Sequence, residues 1–217
     1  MAANKHLADI AEAEAHKFYH GNIMGSPTNL HPISDLFPYS KTWDINSWDN
    51  CWCAAFVYWC CVKAGYKLPV RYESDKVSCN FAGCIAWEQW AKLPEVGCWM
   101  DRNQPTPPHS GRGMVVFGKE FDAGFDTFLT ASRGRGIKPV AYNKNPEIGD
   151  IVIFDRIFKD EEHDHIAIVL DSDEHILETA EGNFNNVSAI VKRPYDNVRG
   201  YLRLQPLPVL DSAGGVD

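Results

Sequence analysis

The sequence has no run approaching the ~20 consecutive apolar residues that a membrane-spanning helix requires, no block of clustered Lys and Arg, no internal repeat, no heptad run and no low-complexity tract. Each absence removes a class of protein. Without grouped basic residues, and with a net charge of −8, the chain lacks the electrostatic footprint of a nucleic-acid binder. An anionic polymer would have to be held by short-range contacts instead. Met1 to His20 alternates charged and small residues, with neither an apolar h-region nor a small-residue cleavage site. The chain is therefore expected to be made in the cytoplasm without a signal peptide, so that action outside the cell depends on release or non-classical export. Cys79, Cys84, Cys98 and His109 lack the paired C-x2-4-C spacing of a structural zinc site, and the three cysteines read as buried free thiols.

What is present is ordinary globular material: 217 residues, 45% hydrophobic and 23% charged, enough for one well-buried core carrying decorations. Cysteine is the unusual ingredient, at seven residues, an odd number, with Cys51, Cys53, Cys60 and Cys61 crowded into one short segment. Adjacent Cys60 and Cys61 suit disulfide geometry poorly, so reduced thiols are expected.

Hydrophobic periodicity predicts an amphipathic helix over 5–19 (Leu7, Ile10, Ala11, Ala15, Phe18) and an irregular Pro- and Gly-punctuated stretch to Lys41. The sharpest helix runs from Trp52 to Ala64, capped by Asp49 or Asn50 and stopped by Gly65. A shorter helix is expected over 82–91, and a strand over 114–117 within a Gly-, Pro- and polar-rich region. After Pro146 come short β-branched runs at 150–155, 165–171, 176–180, 187–192 and 200–204, which read as an antiparallel meander. Helix first and antiparallel sheet afterwards gives an α+β class. The expected organisation is a packed N-terminal segment (1–40), a catalytic domain (41–205) with an insert near 94–138, and a flexible tail (206–217).

Cys53 falls in the first turn of the sharpest helix, where the dipole and unpaired backbone N–H groups favour thiolate over thiol and can support an oxyanion. A base and a group that orients it must come from elsewhere in the fold. His165 opens an apolar strand and Glu181 follows the next strand in Thr179-Ala180-Glu181-Gly182-Asn183, so adjacent antiparallel strands would bring them together.

Trp52-Cys53-Ala54-Ala55-Phe56-Val57-x-Trp59-Cys60, Gly149-Asp150-Ile151-Val152, His165-x-Ala167-Ile168-Val169 and Glu181-Gly182-Asn183 resemble, in order and spacing, the CHAP family of papain-like cysteine amidases and endopeptidases, related to the NlpC/P60 enzymes. The resemblance covers roughly 44–204. It implies a nucleophile helix packed on an antiparallel sheet of about five to six strands, with Cys53 as nucleophile, His165 as base, Glu181 orienting the imidazole and Asn183 as a further polar member. The substrate it implies is peptidoglycan, cut at the muramoyl–L-alanine amide or within the stem or cross-bridge peptide. A toxin of this kind would also meet a secretion apparatus or an immunity protein. Some family members carry a calcium loop before the nucleophile. Here Asp44-x-Asn46-x-Trp48-x-Asn50 has the alternating oxygen spacing, with Asp44 and Asn46 the candidate ligands, but Ala55 replaces a usual carboxylate and few charged ligands remain.

The chemistry needs no cofactor: thiolate attack on an amide carbonyl, protonation of the leaving amine by His165, then hydrolysis of the thioester. Acyl transfer to an amine and a non-catalytic wall-binding module are the competing functions. Cys60 and Cys61 read as core, Cys51 as packing, His163 as a solvated loop residue, and Asp155, Asp160, Glu161 and Glu162 as a solvated turn. Trp48 and Trp52 are candidates for stacking on sugar rings, although aromatic residues near a helix start are more often core.

Overall fold

The computed structural model of the protein describes residues 4–22, 26–37, 52–101, 146–173, 176–195 and 197–205. Helix α1 (Lys5–Ala15) starts where the Asn4 side chain accepts the Leu7 N–H, and it buries Leu7, Ala8, Ala11 and Ala15. It stops short of residue 19. Phe18 takes up a left-handed φ of 54°, and the next residue is claimed by the sheet: Tyr19 N–H donates to Ser188 Oγ at 2.8 Å, and Ser188 N–H donates to Tyr19 O at 2.7 Å. Phe18 is consequently 58% exposed instead of completing the apolar stripe.

The segment expected to be irregular contains a short helix, α2 (His31–Ser34), with Pro32 near its start, where a missing N–H costs nothing. Ile33 and Phe37 from this segment are fully buried against the main core. Helix α3 (Cys53–Lys63) is apolar on all sides and correspondingly enclosed. Cys60 and Cys61 are core residues whose thiols burial pushes upward, away from reactivity. Helix α4 (Cys84–Ala91) follows Gly83.

The strands are β1 (Trp99–Asp101), β2 (Ile151–Phe154), β3 (His165–Ser172), β4 (Ile176–Phe184), β5 (Val187–Pro194) and β6 (Val198–Leu202). They form one six-stranded sheet in the order β1-β6-β2-β3-β4-β5, every pairing antiparallel. The fold is thus α+β. The meander holds only from β2 to β5, because β6 does not extend it beyond β5 but returns to the free edge of β2, where Ile151 faces Leu202. β1 was missed because it lies in the expected insert and becomes a strand only when β6 supplies a partner. The strand expected over 114–117 lies outside the described residues.

Both faces of the central strands are covered, which explains their near-continuous apolar runs. Ile151, Ile153, Ile166 and Ile168 pack under α1 and α3, while Val152, Phe154, Ala167 and Val169 form a second apolar layer on the opposite face. Asp150, from the Gly149-Asp150 motif, is structural: its carboxylate accepts Arg203 Nε at 2.8 Å and Nη2 at 2.7 Å, with both residues buried.

Gly182 sets how closely α3 approaches β4. A Cβ there would lie 2.3 Å from Phe56 Cβ and 2.9 Å from Trp52 Cζ3, so only glycine lets the helix settle onto the strand that carries Glu181. That contact delivers the start of α3 to the sheet. Among the described residues no helix is long and apolar enough to cross a membrane.

Candidate active site

Cys53 is the first residue of α3, and Trp52 holds the N-cap position without a side-chain bond to the helix. Asp49 and Asn50, the expected caps, lie outside the described residues. The first-turn N–H groups are placed to act on the sulfur or on an oxyanion. The Ala54 N–H is among the groups that favour negative charge on Sγ. Cys53 opens into a cavity of about 470 Å³ whose walls include Cys84, Phe158, His163, His165 and Asn183.

His165 is the first residue of β3, opposite Phe154 of β2 and stacked on its ring, with the Phe158 ring edge-on at a centroid distance of 5.1 Å. On β4, Ala180 faces Ile168; continuing that register places Glu181 diagonally beside His165 on the same side of the sheet. His165 Nε2 and Glu181 Oε2 are 2.8 Å apart, and the two residues are 1% and 0% exposed. Glu181 is fully loaded with donors: Arg193 Nε donates to Oε1 at 2.5 Å, Arg193 Nη2 to Oε2 at 2.7 Å, and Thr179 Oγ1 to Oε1 at 2.7 Å.

The electrostatics follow from this chain of contacts. Burial alone would raise the Glu181 carboxyl, but Arg193 and His165 hold it down at about 2. An ionised Glu181 makes Nε2 the donor and fixes the tautomer, leaving Nδ1 for the thiol. Burial disfavours a charged His165, yet the neighbouring Cys53 sulfur and Glu181 raise it to about 9. Cys53 is pulled well below the ordinary thiol range, chiefly by a hydrogen bond from Cys84, then by His165 and the Ala54 N–H, in spite of its burial. Both shifts favour the thiolate–imidazolium form of the pair.

The structure thus brings together Cys53, His165 and Glu181. Asn183 belongs to the cavity wall but does not orient the imidazole. It sits at a left-handed φ of 65°, and its Oδ1 is buried with no partner among the described residues, an acceptor turned to neither histidine nor backbone. Trp52 is not a stacking platform: it is fully buried, its ring edge-on to Phe56, its indole N–H donating to Asn186 Oδ1 at 3.1 Å. Trp48, Asp44 and Asn46 lie outside the described residues, as does Cys51. Among the described residues, no group of three or more His, Cys, Asp or Glu is arranged to hold a metal ion.

Several site residues were not legible in the sequence. Cys84 was read as one of three buried thiols, but its Sγ lies 3.6 Å from Cys53 Sγ. Cys79 and Cys98 are free thiols as expected but half-buried rather than fully buried, and partial burial pushes the Cys98 thiol up to about 12. Arg193 projects inward from β5, its guanidinium surrounded by the rings of Phe154, Phe158 and Phe184. His163 is not simply solvated: its Nε2 lies 2.6 Å from Glu88 Oε2 and its side chain is 14% exposed. Asp155 is likewise buried, receiving the His163 N–H at 2.8 Å and Arg199 Nη1 at 3.2 Å. Asp160, Glu161 and Glu162 are exposed, as expected. The loop between β2 and β3 gains its shape from Asp164, whose Oδ2 accepts the N–H groups of Ile157, Phe158 and Lys159. That turn holds Phe158 over the His165–Glu181 pair.

Compared with family models, with curated proteins and with solved structures, the chain matches none of them.

Proposed function

We propose that this protein is a cysteine-dependent amide hydrolase. The observation that carries the reading is the chain of hydrogen bonds from Arg193 through Glu181 to His165, which shares a cavity wall with Cys53 at a helix N-terminus. The Cys53 thiolate attacks an amide carbonyl seated in the cavity, and N–H groups of the first turn of α3 donate to the developing oxyanion. The His165 imidazolium gives its proton to the leaving amine. Neutral His165 then takes a proton from water, hydroxide adds to the thioester, and collapse of the second tetrahedral intermediate releases the acid and restores the thiolate–imidazolium pair. Glu181 keeps Nε2 protonated throughout, and Arg193 keeps Glu181 ionised.

The more particular reading is a peptidoglycan hydrolase of the CHAP kind with a papain-like arrangement, acting as a muramoyl–L-alanine amidase or as a stem or cross-bridge endopeptidase. It is supported by the ordered motifs around Cys53, Asp150, His165 and Glu181 and by the agreement of the Cys–His–Glu geometry with the roles the resemblance assigns.

Purified sacculi digested with the protein test both levels. New amino groups and fragment masses report the bond cut, and a Cys53→Ala variant that releases them undiminished rules out the mechanism. Products in which an added amine has captured the acyl group would identify an acyltransferase.

A further inference from the structure

Cys84 occupies in α4 the position that Cys53 occupies in α3: each is the first residue of its helix, and both line the same cavity. Their sulfurs are 3.6 Å apart, within hydrogen-bonding range for sulfur, and both thiols are free. In such a pair one sulfur keeps its proton and donates it to the other. The surroundings decide which. Cys53 faces His165 and the Ala54 N–H, which both favour negative charge on its sulfur. Cys84 faces Cys53 and the Asp164 carboxylate, which both oppose it, and its thiol is pushed well above the ordinary range by that pairing and by burial.

We propose that Cys84 is a further catalytic residue, its S–H donating a hydrogen bond to Cys53 Sγ and holding that sulfur as the thiolate. The inference rests on Cys53 being the nucleophile and adds a donor that the His165–Glu181 pair does not supply. Its proton never leaves Cys84. In the resting enzyme the donor supports the thiolate beside His165. When the sulfur is acylated the acceptor loses its charge and the bond weakens. When the second tetrahedral intermediate collapses, Cys53 departs as thiolate and the donor is again in place to receive it. Charge-assisted donation of this kind is stronger than a neutral thiol contact, although S–H is a weak donor in general.

The test needs no substrate. The full chain is alkylated with iodoacetamide across a range of pH, and modification of the Cys53 peptide is followed by mass spectrometry in wild type, Cys84→Ala and Cys84→Ser. Alanine suits a half-buried first helical position, so that variant retains the fold. The expected result is that wild-type Cys53 reacts in mildly acid solution. Cys84→Ala should react about tenfold more slowly there and converge with wild type at alkaline pH, the loss expected for one hydrogen bond to a charged group. Cys84→Ser, which retains a donor, should recover most of the difference. Equal profiles for wild type and Cys84→Ala, or a serine variant as slow as the alanine one, would overturn the role of Cys84 while leaving the nucleophile intact. A wild-type Cys53 that titrates as an ordinary thiol would overturn both.

Discussion

Two cysteines and two histidines of the cavity wall belong to two sets of the same four residue types: Cys53, His165, Glu181 and Arg193 in one, Cys84, His163, Glu88 and Arg199 in the other. Each has a cysteine opening a helix, a histidine bonded through Nε2 to a glutamate, and an arginine on that glutamate. Both glutamates are held at about 2, Glu181 against burial by Arg193 and His165, Glu88 against burial by His163, Arg199 and Lys92. Their environments nevertheless differ. His165 and Glu181 are 1% and 0% exposed and shielded by Phe158, whereas the His163 and Glu88 side chains are 14% and 6% exposed, with Arg199 also reaching Asp155 and Glu162. More telling is the thiol. The first set couples its imidazole to Cys53 and lowers it, while Cys84 is raised. Within the second set, His163, Glu88 and Arg199 therefore read as an electrostatic clamp tying α4, the β2–β3 loop and β6 together, while Cys84 serves the first set, which is the reactive one.

Single substitutions should separate the two sets by orders of magnitude. Cys53→Ala and His165→Ala are expected to lower amide hydrolysis by roughly 10⁴ or more, as for other nucleophile–base pairs. Cys84→Ala and His163→Ala should stay within about tenfold of wild type, the scale of one charge-assisted hydrogen bond. Stability should sort the arginines in the same direction. Arg193→Met leaves Glu181 buried without its main cation and should cost about 3–5 kcal/mol in urea unfolding. Arg199→Met should cost only about 1–2 kcal/mol, because Glu88 keeps Lys92 and His163 as partners.

The pH response should belong to the first set as well. Activity needs Cys53 as thiolate and His165 as imidazolium, so kcat/KM should reach its plateau below the ordinary thiol range and fall as pH rises through about 9. The same raised His165 favours the folded state fully below its ordinary value of 6.5, and this contribution is lost as pH rises through about 9. Glu181 works in the opposite sense: its contribution is present above its ordinary 4.5 and is lost as pH falls through about 2. Stability measured against pH in His165→Ala should lose the alkaline component and part of the acid one, since His165 is one of the two groups that hold Glu181 down.

What the sequence revealed of the site was what local pattern encodes. Cys53 was visible through helix periodicity, His165 as a charge-capable residue opening an apolar strand and Glu181 as one expected just after the next strand, which β4 in fact carries past it. The remainder depends on which elements become neighbours. Arg193 reads as an ordinary strand cation until the β4–β5 register, with Glu181 opposite Ala189, turns it to the buried side. Cys84 gains meaning only when α4 is docked against the start of α3, and His163 only when α4 supplies Glu88. The same holds for the fold: β2 to β5 were legible as closely spaced runs, but nothing local states that β6 turns back to β2 and recruits β1. Trp52 was ambiguous for a different reason, since an aromatic side chain suits both a sugar face and a core, and the Gly182 contact selects the core.

The comparison is tested most directly by amino-group release from purified sacculi, measured side by side for Cys53→Ala, His165→Ala, Cys84→Ala and His163→Ala, each checked for folding. The account predicts that the first two release nothing above background while the last two remain active. Loss of activity in Cys84→Ala and His163→Ala with Cys53→Ala still active would contradict it and assign the chemistry to the other set.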